Sequence, residues 1–346
     1  MNLRVLSFHS VKGGVGKSTL ATLAALQAAR RHPARRVYLI DMDLTGTSLA
    51  DVLPLLAPNW ETSVLLPAQL EHAPTKTLDL KSSRELIALR TTEMNPRAGT
   101  AANLYVPFLN DFFLHQPSDD LQNRDVDVRS ICWKFENGPP NLNVIPSSAI
   151  PGDLERIIPV IFDEQHAAFL EARLEVLLSR LIDVDVGTDV TVIVDVPPTI
   201  PGLSRSVMSL GLRLSQPRKQ PLAANASIPQ PLYGTSVAWT INLVTSPDPQ
   251  DLRATQRWLT LILRDERSKF RLVVNRHKWS TAPDELRNSL SQALGLAPSA
   301  DADPLDAMGG FGPFLDSVLS INDESDFEFF RRKQIPDREL DFGDLE

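Results

Sequence analysis

Ser10-Val11-Lys12-Gly13-Gly14-Val15-Gly16-Lys17-Ser18-Thr19 decides the reading of this 346-residue chain. Upstream, Leu3 to Phe8 is a short apolar run, as a buried strand is. Downstream, Ser18 to Ala29 is rich in Ala and Leu and contains no Gly or Pro, which predicts a helix. Gly13, Gly14 and Gly16 between them let the backbone curl so that successive N–H groups face inward. That curl, with the helix N-terminus behind it, binds phosphate oxygens. Lys17 is placed to neutralise β- and γ-phosphates, and the Ser18 hydroxyl to ligate Mg²⁺. The strict loop pattern has glycine six residues before this lysine, where the chain has Val11; a second lysine, Lys12, stands at the loop's opening.

Working outward, further apolar runs predict strands at Val37–Ile40, Leu142–Ile145, Val190–Val194, Trp239–Val244 and Leu272–Val274. Phe162 to Ile182 predicts a long helix with Leu170, Leu174, Leu177, Leu178 and Leu181 on its apolar face, and Leu252 to Leu263 is amphipathic. Strands alternating with helices predict an α/β fold, a mostly parallel, doubly wound sheet covered on both faces. We expect one domain over residues 1–346, with a long insertion after the second strand at residues 51–140 that includes an aromatic cluster (Tyr105, Phe108, Phe112, Phe113). Residues 215–235 read as a loop.

Composition narrows the class. At 42% hydrophobic and 23% charged the chain is neither disordered nor fibrous, and a net charge of −8 does not suit a basic nucleic-acid protein. The one cysteine, Cys132, excludes an intrachain disulfide and any cluster or zinc site built from this chain's own thiolates. With no apolar run near the ~18 residues of a membrane span and no signal-peptide start, a soluble, cytoplasmic chain is expected. The charge is uneven: Leu203 to Lys278 carries twelve Lys and Arg against four acids, and Asp301 to Glu346 carries four against thirteen.

Lys12-Gly13-Gly14-Val15-Gly16-Lys17-Ser18 resembles the deviant Walker A motif of the ParA/MinD ATPases, a P-loop branch. The resemblance implies ATP and Mg²⁺ as cofactors, with residues 12–19 cradling the phosphates and Lys12 reaching the phosphates of a partner copy in an ATP-sandwiched homodimer. Asp41-Met42-Asp43 resembles switch I, whose second aspartate, Asp43, would position the attacking water. Val192 to Pro198 resembles Walker B and switch II, with Asp195 holding the Mg²⁺ shell through water. Val273-Val274-Asn275-Arg276 resembles the segment that reads adenine, and Gly312-Pro313-Phe314 would supply the other wall of the base pocket. Lys12, Lys17 and Asp43 are thus the expected catalytic residues, and Ser18 and Asp195 the metal residues. Slow, dimer-dependent hydrolysis suits a switch.

The family's outputs differ in what they require. Iron–sulfur and arsenite branches need cysteines that this chain lacks. A MinD-like membrane tail fits less well, because acids flank Phe327, Phe329, Phe330 and Arg331-Arg332-Lys333 on both sides. Non-specific DNA binding of the ParA kind, with nucleoid association, would use Arg253, Arg257 and Arg264, which fall on one helical face. The alternative is a dimerisation switch within a protein machine, with residues 51–140 or the acidic tail 323–346 meeting an unidentified protein partner or activator.

Overall fold

The computed structural model describes residues 2–45, 49–56, 58–61, 76–77, 104–105, 108–114, 128–149, 151–184, 188–199, 202–215, 232, 235–262, 270–277 and 319–322. In chain order the elements are β1 (Asn2–Ser10), α1 (Lys17–Arg31), β2 (Arg36–Asp41), α2 (Leu49–Val52), β3 (Leu55–Leu56), β4 (Pro58–Glu61), β5 (Lys76–Thr77), β6 (Leu104–Tyr105), α3 (Leu109–Leu114), β7 (Lys134–Phe135) and β8 (Leu142–Ile145). There follow α4 (Pro151–Phe162), α5 (Ala167–Val184), β9 (Val190–Asp195), α6 (Leu203–Leu214), β10 (Ser236–Thr245), α7 (Pro249–Ile262), β11 (Phe270–His277) and β12 (Leu319–Asn322).

Seven strands form one sheet in the order β12-β11-β10-β1-β9-β2-β8, and every neighbouring pair is parallel. The six strands expected from the sequence are all in it, and β12 is the seventh. Side-chain alternation sends each strand to two cores. Leu3, Val5, Tyr38, Ile40, Val192, Val194, Ile241 and Leu243 enter one, while Leu6, Phe8, Val37, Leu39 and Ile193 enter the other. The second core lies under α1, whose buried Ala21, Ala24, Ala25, Ala28 and Ala29 let the helix sit close to the sheet. The run expected as one helix from Phe162 to Ile182 is two elements. α4 ends at Phe162, Asp163 caps a one-turn 3₁₀ segment by accepting from the Gln165 N–H at 2.9 Å, and α5 begins at Ala167.

The described parts of the 51–140 insertion are tied into this frame. Trp133 exchanges two backbone hydrogen bonds with Val144 (2.7 and 2.9 Å), so the edge of β8 is covered. Its ring meets Phe108 at 5.1 Å between centroids. On the other face Phe112 and Phe113 are fully buried, and the Arg173 guanidinium of α5 lies 4.2 Å from the Phe112 ring and donates to its carbonyl at 2.5 Å. The tail 323–346, the segment 312–314 and most of residues 215–235 lie outside the described residues.

Phe112→Ala should therefore lower the unfolding free energy by about 3–5 kcal/mol, because it opens a cavity and strips the Arg173 guanidinium of its ring. A denaturant melt checks this; a shift below about 1 kcal/mol would mean that α3 is not part of the core.

Candidate nucleotide-binding site

In an all-parallel sheet every strand ends at one edge, and ligands collect there where the strand order reverses about the first strand. β1 sits between β9 and β10, with Phe8 opposite Asp195 and Ser10 opposite Val244, while Asp41 of β2 lies opposite Asp195. Register alone thus brings the glycine loop, Asp41 and Asp195 to one place.

The loop is built by backbone geometry. Gly14 and Gly16 have φ of 81° and 84°, a left-handed conformation that costs glycine least, and Gly16 is the residue from which α1 starts. Val15 is 3% exposed and anchors the loop in the core beneath α1. Nothing lies within 4 Å of where a Cβ on Gly13 or Gly14 would be, so the loop's face is open. A Cβ on Gly16 would lie 2.2 Å from Nδ2 of Asn275. That amide, fully buried, donates to the Val15 carbonyl at 2.8 Å, and its Oδ1 has no hydrogen-bond partner among the described residues. Asn275 is therefore a strut under the loop as well as the residue proposed to read a base. Arg276 follows it in β11, and its side chain lies outside what is described.

Lys17, 6% exposed, forms an ion pair with Asp195, 1% exposed, and its ammonium lies 3.4 Å from Ser18 Oγ. Thr19 is half-buried beside Ser18. Asp41 is buried. Its Oδ2 accepts from the Leu49 N–H and the Ser147 hydroxyl, both at 2.8 Å, and its Oδ1 from the Asp43 N–H at 3.0 Å. Asp41 thus ties Asp43 to Leu49 and Ser147, while Asp43, half-buried, accepts from the Thr45 N–H at 3.3 Å and from the Thr45 hydroxyl. Asp41, with no role of its own expected from the sequence, is the scaffold of this turn.

Burial above all, and then the charge of Asp195, push the Asp41 carboxyl up to about 7, against the opposing hydrogen bonds from Leu49 and Ser147. His9, one residue before Ser10 on β1, is pushed down to about 3 by burial and then by the Lys17 charge. Its Nε2 lies 2.9 Å from Ser7 Oγ, which also accepts from Trp239 Nε1 at 3.0 Å.

Two further contacts, like that of Asn275 with Val15, were not legible in the sequence. Lys12, 43% exposed, turns out of the loop and pairs with Asp251 of α7 at 2.8 Å. Thr199, four residues past the end of β9 at φ 33°, donates its hydroxyl to the Val11 carbonyl at 2.5 Å. On α7, Arg253 and Arg257 are exposed one turn apart, and Arg264 lies outside the described residues. The residues present suit a nucleotide with Mg²⁺. The open glycine face and Lys17 fit phosphates, and the Ser18 hydroxyl with the Asp195 carboxylate are the hard oxygen donors that Mg²⁺ takes.

The model of the ParA family, described as an NUBPL iron-transfer P-loop NTPase, matches residues 3–111. Among solved structures, the chain is similar to the MinC:MinD cell division complex of Aquifex aeolicus (15% identity, 96% of this chain and 86% of that one, TM-score 0.44). It is also similar to a ParA family ATPase of Chlorobium tepidum TLS (16%, 91% and 96%, 0.44) and to apo McdA of Cyanthece (14%, 96% and 92%, 0.48). Among curated proteins, none matches the chain by sequence. Residues 3–111 thus match the ParA family model, and they hold the glycine loop of the parallel α/β fold described above.

Two outcomes test this geometry. Gly16→Ala should lose nucleotide binding and melt earlier, since both φ and the Asn275 contact oppose a Cβ. Adding Asn275→Ala should recover only the part due to the clash, as read by thermal melts of the single and double variants. The second concerns pH. Asp41 favours the fold below about pH 3.8 and loses that contribution as pH rises towards 7, whereas His9 contributes fully above 6.5 and loses it as pH falls towards 3. The two slopes oppose, so Asp41→Asn should give stability that climbs more steeply than the parent's between about pH 4 and 6.5. Identical profiles would contradict the buried carboxyl.

Proposed function

We propose that the chain binds Mg-ATP, pairs with a second copy around it and hydrolyses it slowly, as a nucleotide-dependent positioning switch. The observation that carries this reading is the division of labour between two lysines. Lys17 lies buried at the cradle, whereas Lys12 has a half-exposed side chain paired outside its own loop with Asp251, where a second copy can meet it. Hydrolysis is in-line attack of water on the γ-phosphorus, so the protein's work is positioning and charge neutralisation. Mg²⁺, when bound, supplies Lewis-acid stabilisation of charge on the β- and γ-oxygens.

In this reading Lys17 exchanges Asp195 for phosphate oxygens, which frees Asp195 and the Ser18 hydroxyl to hold the metal shell. Asp43 gives up Thr45 and orients the attacking water. Lys12 of the second copy neutralises charge that develops in the transition state, so turnover depends on pairing. Asn275 keeps the loop beneath the phosphates whether or not it also meets the base. An iron-carrying role of the kind in the matched family's description would need paired thiolates, and this chain has only Cys132, whose Sγ donates to the Val128 carbonyl at 3.0 Å.

The exposed Arg253 and Arg257, a turn apart on α7, favour DNA as the matrix on which the switch acts. No helix among the described residues is long and apolar enough to cross a membrane. The insertion at 51–140 and the tail at 323–346 remain the surfaces proposed for a protein partner.

Lys17→Ala should abolish binding of a fluorescent ATP analogue, and Lys12→Ala should keep binding while giving no dimer in light scattering with a non-hydrolysable analogue. Reversing Arg253 and Arg257 to Glu should remove ATP-dependent binding to random-sequence DNA, whose log–log salt slope the two arginines raise by about 2. A Lys17→Ala chain that binds ATP like the parent would overturn the reading.

A further inference from the structure

We propose that Asp251 is a latch that holds Lys12 in cis, so that two chains can pair around nucleotide only when this ion pair opens. The inference rests on the reading that Lys12 acts in trans, and adds what holds it back. β1 and β10 are parallel neighbours with Ser10 opposite Val244, so the glycine loop and the turn leading into α7 leave the sheet side by side. That turn reads Ser246-Pro247-Asp248-Pro249-Gln250-Asp251. Asp248 already caps α7: its carboxylate accepts from the Gln250 N–H at 2.7 Å, and Pro249 takes the first helical position.

Asp251 is thus spared from capping, and both its oxygens are fixed elsewhere. Oδ2 accepts from the Ser246 hydroxyl at 2.5 Å, and Ser246 Oγ in turn accepts from the Asp248 N–H at 3.2 Å. This braces Oδ1 against the Lys12 ammonium at 2.8 Å. Burial raises the Asp251 carboxyl, but the hydrogen bonds from Lys12 and Ser246 and the Lys12 charge outweigh it and leave the group below the usual carboxylate range. A first-turn acid would be explained by the helix dipole alone if its carboxylate faced solvent; here it is 18% exposed and aimed at the loop. The residue beside Lys12 is held too, since Thr199 donates to the Val11 carbonyl.

The strength is right for a latch that yields. A half-exposed pair is worth up to about fivefold in an equilibrium. The several charges of a triphosphate outbid one carboxylate for an ammonium, so nucleotide bound to a second copy can take Lys12 away. Asp251 is a positioning residue here: it acts through Lys12 and touches no substrate.

Asp251→Asn in the full chain removes the charge and keeps the shape and the Ser246 contact. Without nucleotide, reaction of Lys12 with an amine reagent, read by mass spectrometry, should quicken about threefold to fivefold, and Asp251→Glu should return it towards the parent. With Mg²⁺ and a non-hydrolysable ATP analogue, the chain concentration for half-dimerisation should fall by up to about fivefold, while melting without nucleotide stays near the parent's. Equal labelling of parent and Asp251→Asn overturns the latch. So does faster labelling with an unchanged dimerisation midpoint, provided that the parent dimerises and Lys12→Ala does not; the sandwich reading then stands alone. A parent that never dimerises with the analogue removes the sandwich reading and the latch with it.

Discussion

The buried ion pair of Lys17 with Asp195 is the constraint on which the rest of the site depends. Neither charge has much access to water, so each is tolerable only because the other is there, and removing either costs roughly 3–5 kcal/mol. The pair spans the loop after β1 and the end of β9, which fixes the loop over the strand ends. Its two charges set the groups around it. Asp195 helps to keep the neighbouring Asp41 protonated up to about pH 7, and Lys17 helps to keep His9 neutral. A ligand that replaces this pairing therefore acts on the segment after β2 through Asp41, which holds Leu49, Asp43 and Ser147 together.

Around that pair the loop is tied down at several points by groups from distant parts of the sequence. Asn275 of β11 supports the Val15 carbonyl, Thr199 holds Val11, and Asp251 holds Lys12. Each tie comes from a strand end, the turn after it or the first turn of the helix that follows, beside β1 or one strand further out. The parallel sheet makes this possible, because its carboxyl edge gathers segments that are far apart in the chain. Of the insertion's described residues, Trp133 pairs with β8 beyond β2, and Phe112 lies against Arg173 of α5.

Much of the fold was legible in the sequence, since buried parallel strands are continuous apolar runs and six of the seven declared themselves. Leu319–Asn322 did not: Leu-Ser-Ile-Asn is an edge strand, short and half polar. The split of Phe162–Ile182 was hidden because Asp163-Glu164-Gln165-His166 contains no Gly or Pro to mark a break, and the capping by Asp163 is a local backbone event. In the site, glycine spacing announced the cradle, and the strand-end aspartates announced themselves by position. The ties did not, because Asn275, Thr199 and Asp251 have ordinary turn or helix-start identities. Only strand order brings them to the loop, and strand order is not a property of any local stretch.

In the proposed function two copies of the chain complete each other's site. Mg-ATP turnover per chain, measured as chain concentration is raised at saturating ATP, tests it most directly. Turnover per chain should climb with concentration and level off where all chains are paired, and Lys12→Ala should stay flat and low throughout. A parent whose turnover per chain is the same at every concentration would contradict the account, since each chain would then carry a complete site of its own.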